Sequence, residues 1–191
     1  MNIKIILASV RQGRFGDKPA QWILDLVKKS EGVNIELLDL KEWELPPFTE
    51  PVPPSMMTGE YRTPEINRWA EKIKEADGFI MVTPEYNHGY PSSLKNNIDY
   101  LAREWYKKPV AFVSYGAAGG VRAVEQLRQV IVQLQMAPVS GAVHIMSPWL
   151  LTNEDGSLKA GVLDSYVAPA QEMIKQLLWW TEALKNAREK K

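Results

Sequence analysis

Residues 3–27 read IKIILASVRQGRFGDKPAQWILDLV, and this stretch decides the fold class. Residues 3–8 form an almost continuous apolar run, which is typical of a strand buried on both faces of a parallel sheet. After a turn, Asp17 is predicted to be the N-cap of a helix that has Pro19 in its first turn. The apolar residues on one face of that helix are Trp22, Ile23, Leu26 and Val27. The stretch therefore predicts a buried strand that leads directly into an amphipathic helix.

The same alternation continues along the rest of the chain. Further strands are predicted by apolar runs at residues 33–38, 78–82 and 110–114 and by a weaker run at 139–145. Helical periodicity is found at residues 66–76, 92–106, 121–135 and 162–188. Strands that alternate with helices favour a parallel sheet covered by helices on both faces. We therefore predict an α/β fold, formed by a single domain over residues 1–191.

The second predicted strand is followed by a proline-rich segment at residues 41–64. Its prolines are Pro46, Pro47, Pro51, Pro53, Pro54 and Pro64. Proline lacks the N–H group that sheets and helices need, so an extended surface loop is expected here. The sequence leaves three roles open for this loop: a plain connector, a flap over a ligand, or an arm that contacts a partner subunit.

Composition and charge narrow the classes of function. Lys plus Arg and Asp plus Glu both number 23, so the formal net charge is zero. A neutral chain lacks the field that recruits nucleic acid or an anionic membrane surface. The absence of cysteine excludes disulfides and thiol catalysis, and no apolar run approaches the roughly 20 residues that cross a bilayer. No charged and then apolar signal segment opens the sequence, so a cytoplasmic location is expected.

The turn after the first strand has the composition of an anion site. It runs from Ser9 to the predicted helix start at Asp17, where free N–H groups and the positive end of the helix dipole favour a phosphate. The Ser9 hydroxyl, Arg11 and Arg14 can add hydrogen bonds and charge. Neither the P-loop pattern nor the dinucleotide-binding glycine pattern is present. The alternative is a solvated turn whose arginines pair with nearby carboxylates.

The turn after the third predicted strand, at residues 83–91, is rigid, polar and aromatic. Its prolines restrict φ, so its backbone can read the polar edge of a flat ring. Tyr86 or Tyr90 offers a stacking face, and Asn87 offers both a donor and an acceptor. For Glu85, two purely structural interpretations stay open: it caps a helix, or it balances the charge of Arg11.

The turn after the fourth predicted strand, at residues 114–120, reads SYGAAGG and has nothing bulky after Tyr115. Small residues there let a planar ligand lie against the backbone. One glycine-rich turn is weak evidence, because such turns also serve tight helix packing. In a doubly wound sheet, however, ligands bind at the carboxyl ends of the strands, where all three turns would meet.

Residues 83–100 read TPEYNHGYPSSLKNNIDY, and this segment carries a resemblance to a known family. It is similar to the pattern T-P-E-Y-N-x-[GS]-x-P-[GS]-x-L-K-N-x-[IL]-D-[WY] of the NADPH-dependent FMN reductases. The first turn resembles the family's S-x-R-x-x-S/R phosphate turn, and the match extends over nearly the whole chain. The resemblance implies a flavodoxin-like three-layer sandwich whose five-stranded parallel sheet has the order 2-1-3-4-5.

The resemblance also implies which residues bind FMN. Ser9 and Arg11 would bind the phosphate through their side chains. Backbone donors to the phosphate would come from Arg14, Phe15 and Gly16. The flavin ring would be contacted by Pro84, Glu85, Tyr86 and Asn87, and its other edge would be lined by Ser114, Tyr115, Gly116, Gly119 and Gly120. Many relatives carry Ser where this chain has Arg14, so it stays open whether the Arg14 side chain binds phosphate or points away.

The activity implied by the resemblance is that of an NAD(P)H-dependent oxidoreductase. Hydride would pass from NADPH or NADH to N5 of FMN, and the electrons would go on to a quinone, a free flavin, an azo or nitro compound, or a metal oxyanion. No catalytic side chain is required for this chemistry, and the sequence contains no metal-ligand cluster. The alternatives are a non-enzymatic electron carrier of the flavodoxin type and a flavin-binding sensor.

The resemblance further implies a homodimer or a dimer of dimers. The helices at 92–106 and 121–135 would pack against their mates, with each flavin near the interface. Such an interface needs a second apolar patch on these helices, and Ile131 with Val132 is the hint of one.

Overall fold

The computed structural model describes residues 1–57 and 59–190. Thr58 of the proline-rich loop and Lys191 of the charged tail lie outside the described residues. Over this part of the chain, the strands are β1 (Asn2–Leu7), β2 (Asn34–Asp39), β3 (Gly78–Pro84), β4 (Pro109–Gly116) and β5 (Ala137–Met146). The α-helices are α1 (Asp17–Val27), α2 (Pro64–Glu75), α3 (Ser92–Asp99), α4 (Val121–Gln133) and α5 (Asp164–Glu189). Short 3₁₀ helices lie at Pro54–Met56 and Pro148–Leu150.

The strands form one parallel sheet in the order β2-β1-β3-β4-β5, which confirms the predicted fold class. Ile5 of β1 pairs with Leu37 of β2 on one side and with Ile80 of β3 on the other. Because all strands run in one direction, the loops that follow them meet along one edge of the sheet. The strand order reverses between β1 and β3, and this is where a doubly wound sheet opens a crevice for a ligand.

Two apolar cores flank the sheet, because successive strand residues point to opposite faces. Ile3 and Ile5 pack with residues of α1 and α5. Ile6 packs with residues of α2, α3 and α4, and Trp69 of α2 is fully buried in this second core. Strands covered on both faces read as continuous apolar runs, which explains why their positions could be predicted.

Three local predictions were wrong. Gly16, not Asp17, is the N-cap of α1, and Asp17 opens the helix. Helix α3 ends at Asp99 rather than at residue 106, because the chain turns to bury Trp105 completely against other aromatic rings. Ile131 belongs to the core and is fully buried, so it cannot form a surface patch with Val132.

The proline-rich loop lies against α3. Asn96 Nδ2 donates to the carbonyl of Pro46 at 2.8 Å, and Asn97 Nδ2 donates to that of Trp43 at 2.9 Å. The Tyr100 hydroxyl donates to the carbonyl of Pro46 at 3.0 Å. The polar residues of this helix therefore anchor the loop, and a ligand-binding or interface role for the loop stays a prediction. Among the helices that the structure describes, none combines the length and apolar character needed to span a bilayer.

Candidate functional site

Three loops meet at the carboxyl edge of the sheet. We call them loop 1 (residues 8–16, after β1), loop 2 (85–91, after β3) and loop 3 (117–120, after β4). The hydroxyls of Ser9 and Tyr86 lie 2.7 Å apart and join loop 1 to loop 2. The Glu85 N–H donates to the carbonyl of Tyr115 at 3.0 Å and joins loop 2 to the end of β4. The structure thus brings together the three turns that the sequence singled out.

Loop 1 presents donors and one positive charge to solvent. Ser9 is fully buried, and its hydroxyl also accepts the Arg11 N–H at 3.4 Å. The guanidinium of Arg11 is exposed and forms no ion pair within the described residues. Over the same part of the chain, the backbone N–H groups of residues 12–17 donate no hydrogen bond. Consecutive free N–H groups before a helix, with a cation beside them, are suited to an anion.

Arg14 has a different environment, because it is buried among carboxylates. Its guanidinium forms a bidentate pair with Asp39, at the end of β2, and a second pair with Asp17. The hydrogen bonds that Arg14 donates to Asp39 raise the pKa of Arg14 above its ordinary value, against the opposing effect of burial. The interpretation of loop 1 as a turn with paired arginines therefore holds for Arg14 and fails for Arg11.

Phe15, Gly16 and Tyr115 pack closely at the start of α1. The rings of Phe15 and Tyr115 meet edge to face with centroids 5.3 Å apart. A Cβ on Gly16 would lie 2.6 Å from the Tyr115 hydroxyl, so only glycine fits there. That hydroxyl is buried and has no hydrogen-bond partner among the described residues. Burial, with a further contribution from the neighbouring Tyr86, raises the pKa of Tyr115 well above its ordinary value, so a neutral donor is left beside loop 1.

Loop 2 makes a tight two-residue turn. The Tyr86 N–H donates to the carbonyl of Gly89 at 2.8 Å, and the Gly89 N–H donates back to that of Tyr86 at 3.0 Å. The two central residues, Asn87 and His88, have φ values of 49° and 68°. Asn87 and His88 are exposed at this left-handed turn, and Tyr86 is 37% exposed although its hydroxyl reaches the buried Ser9.

The carboxylate of Glu85 is held by α4. Arg122 Nε donates to it at 2.6 Å, and the Arg122 backbone N–H in the first turn of α4 donates at 3.2 Å. Burial alone would raise the pKa of Glu85, but these hydrogen bonds hold it below its usual value. Glu85 therefore caps a helix, as one interpretation had it, and its charge partner is Arg122 rather than Arg11.

Loop 3 rests on a buried pair of side chains. The Ser114 hydroxyl donates to the carbonyl of Gly119 at 2.6 Å and lies 2.7 Å from Nδ1 of His144. Ser114 is fully buried, so its side chain shapes the turn from beneath. Gly120 has a φ of 76° and would bring a Cβ within 2.8 Å of the Ser114 Cβ. Within the turn, Gly116 is half-buried and Ala117 is exposed, whereas Gly119 and Gly120 are buried, so the backbone around Gly116 and Ala117 is the part that a planar ligand can reach.

Four residues that shape the site were missed by the sequence analysis. They are Asp39, Arg122, Gln126 and His144. Arg122 and Gln126 are four residues apart and so share one face of α4, and Gln126 Nε2 donates to the carbonyl of His88 at 2.9 Å. Both lie on the polar face of an amphipathic helix that also carries the exposed Glu125 and Gln129, so nothing in the sequence singled them out.

Comparisons with known proteins agree with this geometry. The family model described as NADPH-dependent FMN reductase matches residues 1–149. A Schizosaccharomyces pombe protein named NAD(P)H-dependent FMN reductase is 37% identical over 177 residues, which cover 92% of this chain and 82% of that protein. An Escherichia coli K12 protein named quinone reductase is 33% identical over 142 residues, covering 70% of this chain and 71% of that protein.

Solved structures support the fold. The Paracoccus denitrificans flavoenzyme FerB, titled an NAD(P)H:(acceptor) oxidoreductase, superimposes with a TM-score of 0.72 at 20% identity. The superposition covers 95% of this chain and 97% of FerB. At this identity the likeness shows a shared flavodoxin-like fold.

Proposed function

The chain belongs to the NADPH-dependent FMN reductase family, and on that premise we propose that it passes electrons from NAD(P)H through FMN to a small acceptor such as a quinone. It is an oxidoreductase, and FMN and NAD(P)H are its expected cofactors. The acceptor is the part of the proposal that goes beyond the family. A quinone is the first candidate because an exposed ring site accepts flat molecules.

The observation that carries this proposal is the donor set of loop 1. An FMN phosphate is a dianion, and the unpaired Arg11 guanidinium, the free N–H groups of residues 12–17 and the Ser9 hydroxyl are matched to it. The buried Tyr115 hydroxyl, which lacks a partner among the described residues, adds a further donor. The residues present therefore fit FMN.

Different side chains and backbone groups would bind the phosphate and the ring of FMN. Ser9 and Arg11 would hold the phosphate, with backbone donors from Arg14, Phe15 and Gly16. Loop 2 would contact the ring through Pro84, Glu85, Tyr86 and Asn87. The other edge of the ring would lie against the chain at Ser114, Tyr115, Gly116, Gly119 and Gly120, where Ser114 acts through the turn that it supports.

When bound, FMN would supply the redox chemistry, as hydride acceptor and as electron donor. The residues of the chain would hold the cofactor in position. Loop 2 is fixed at its start, by the Glu85 carboxylate on Arg122, and at its tip, by the His88 carbonyl on Gln126. Fixed donors hold a ring without the cost of reordering the site in each turnover. No side-chain acid or base is needed, so we assign these residues to binding and orientation.

The experiment is a spectroscopic assay of the purified protein loaded with FMN under anaerobic conditions. We expect NADPH to bleach the absorbance of the bound flavin and 1,4-benzoquinone to restore it within the mixing time. A flavodoxin-type carrier or a flavin-binding sensor would bind FMN but would not be bleached by NADPH. Persistence of the flavin colour after NADPH is added would therefore contradict the proposal, and so would a failure to bind FMN.

We also propose a cytoplasmic homodimer or dimer of dimers, formed by one domain over residues 1–191. Exposed apolar side chains on α4 support an interface there, since Val132 is 64% and Val121 is 37% exposed. Sedimentation velocity at several concentrations tests the oligomer. A monomer at micromolar concentration would contradict it, and Val132→Asp should shift a dimer toward monomer.

A further inference from the structure

Arg14 has no hydrogen-bond donor left for a ligand. A guanidinium offers five N–H donors in a planar fork. Nε donates to Asp17 at 2.8 Å, and Nη1 donates to the Ser9 carbonyl at 2.5 Å and to Asp39 at 2.6 Å. Nη2 pairs with the second oxygen of Asp39 and lies 2.6 Å from Asp17. Four of the five N–H donors are used in these hydrogen bonds, and the fifth, on Nη2, lies against the Asp17 carboxylate as an ion pair.

The partners of Arg14 come from three separate points of the chain. Ser9 opens loop 1, Asp17 is the first residue of α1, and Asp39 is the last residue of β2. The Arg14 side chain is 5% exposed and that of Asp39 is 19% exposed, so this pair lies beneath the loop, whereas the Asp17 side chain is 53% exposed at its rim. Arg14 therefore ties the two ends of loop 1 to each other and to the neighbouring strand.

Asp39 is in turn fixed by its own contacts. Its Oδ1 accepts the backbone N–H of Lys41 at 2.9 Å in addition to Nη1 of Arg14. Burial alone would raise the pKa of Asp39, but Arg14 and the Lys41 N–H hold it below its usual value. The carboxylate is thus ionised at neutral pH and held in one orientation.

The charges of this cluster sum to minus one, because one guanidinium meets two carboxylates. Such a group cannot supply the positive charge that a phosphate dianion needs. Arg11, which forms no ion pair within the described residues, is left to do so. The two arginines of loop 1 therefore have different tasks.

We propose that Asp39 is a positioning residue of the phosphate site: acting through Arg14, it holds loop 1 in the shape that binds the FMN phosphate. The Arg14 side chain does not touch the phosphate. This inference rests on the proposed function, since it assumes that loop 1 receives FMN.

The test compares FMN with riboflavin, which has the same ring and no phosphate. We expect Asp39→Asn and Arg14→Lys each to raise the Kd of FMN at least about tenfold, because a charged hydrogen bond is lost. The Kd of riboflavin should change by less than about twofold. Lysine keeps the positive charge but cannot reproduce the planar fork of the guanidinium, so Arg14→Lys should not preserve FMN binding. Flavin fluorescence quenching measures both constants.

The matched control is Glu36→Gln, three residues earlier on β2. Glu36 also sits in an ion-pair cluster, with Lys4 and Lys72, but away from loop 1. The Glu36→Gln variant should leave the Kd of FMN and the Kd of riboflavin unchanged. Arg11→Gln should weaken the binding of FMN and should also reduce the salt dependence of that binding. Asp39→Asn should weaken the binding of FMN but leave its salt dependence unchanged.

Hydrogen exchange of the apoprotein gives a readout that needs no flavin. The hydrogen-bonded amides that border loop 1, those of Lys18, Ala20 and Leu40, should exchange faster in Asp39→Asn than in the wild type and should be unchanged in Glu36→Gln. If Asp39→Asn does not fold, Asp17→Asn removes one carboxylate of the same cluster and should act in the same direction.

The outcomes separate this inference from the proposed function. If the wild type fails to bind FMN, the proposed function fails. If the wild type binds FMN and the folded Asp39→Asn variant binds it equally well, only the positioning role fails. If Arg14→Lys weakens FMN binding and Asp39→Asn does not, Arg14 contacts the phosphate directly and the inference is overturned.

Discussion

The carboxylate of Glu85, at the end of β3, is bound by Arg122 in the first turn of α4. Arg122 Nε donates to Oε1 at 2.6 Å, while its backbone N–H donates to Oε2 at 3.2 Å. The Glu85 side chain is 6% exposed and that of Arg122 is 41% exposed. A nearly buried carboxylate thus holds loop 2, the proposed ring site, against the helix that follows loop 3.

Glu85→Gln should loosen loop 2. The glutamine is isosteric but neutral, so the charge-assisted bonds to Arg122 are lost at a cost of about 1–3 kcal/mol. Since loop 2 is assigned to the flavin ring rather than to the phosphate, the binding of FMN and the binding of riboflavin should be weakened by the same factor. Urea unfolding and flavin fluorescence measure the two effects.

Glu125→Gln is the matched control on α4. Glu125 is 77% exposed, and its nearest cation, Arg128, is 4.0 Å away. Exposed pairs of this kind are worth about 0–1 kcal/mol, so neither stability nor flavin binding should change measurably. An effect of Glu85→Gln on FMN alone, with riboflavin unaffected, would contradict the assignment of loop 2 to the ring.

Gly120→Ala should be among the most damaging single substitutions in loop 3. Its φ of 76° disfavours a side chain, and the new Cβ would lie 2.9 Å from the Tyr115 backbone nitrogen. Gly13→Ala in loop 1 is the comparison, because its φ is 62° but nothing lies within 4 Å of the added atom. We expect a loss of about 1 kcal/mol for Gly13→Ala, from backbone strain alone, and a larger one for Gly120→Ala. Equal losses in urea unfolding would show that the close contact does not matter.

The sequence predicted the sheet well because the strands are buried on both faces. Runs such as residues 78–82 are apolar at every position, and turn residues bound them on both sides. Helix ends were harder to predict. The end of α3 at Asp99 depends on how Trp105 packs against Phe79, which lies 26 residues earlier in the chain. Neither helical periodicity nor local propensity reports such a tertiary contact.

The site was predictable to the level of its loops and not to the level of its contacts. Three turns with suitable composition could be read from the sequence, because parallel strands place their carboxyl ends together. The partners could not be read, because Asp39 lies 25 residues from Arg14 and Arg122 lies 37 residues from Glu85. Both charge pairs are chosen by the three-dimensional arrangement of neighbouring elements rather than by local pattern.

Asp77→Asn should change how stability depends on pH. The Asp77 carboxylate, just before β3, accepts the Asn2 N–H at 2.9 Å and pairs with Lys185 at 3.0 Å and Arg188 at 3.1 Å near the end of α5. Burial alone would raise the pKa of Asp77, but these partners hold it below the ordinary 3.8. A lowered carboxyl pKa stabilises the folded state above the unfolded pKa, and that contribution is lost as the pH falls through the folded value.

The measurement is urea unfolding of wild type and Asp77→Asn between pH 3 and pH 7. At neutral pH the variant should be less stable by about 1–3 kcal/mol. The difference should be constant above about pH 5 and should shrink as the pH is lowered below about pH 4. A difference that stays constant down to pH 3 would mean that the carboxylate contributes nothing through its charge.

Asn96→Asp tests whether α3 anchors the proline-rich loop. The Asn96 amide donates to the carbonyls of Leu45 at 3.2 Å and Pro46 at 2.8 Å and accepts the Phe48 N–H at 2.8 Å. A carboxylate keeps the acceptor for the Phe48 N–H but replaces the donor by a charged oxygen that faces two carbonyl oxygens. We therefore expect a loss of about 1–3 kcal/mol and faster hydrogen exchange over residues 43–49. Lys95→Ala, next to it on α3, removes an exposed pair with Asp99 and should change stability by less than about 0.5 kcal/mol. If both variants exchange like the wild type, the loop is held by its apolar contacts, and the amide of Asn96 is not its anchor.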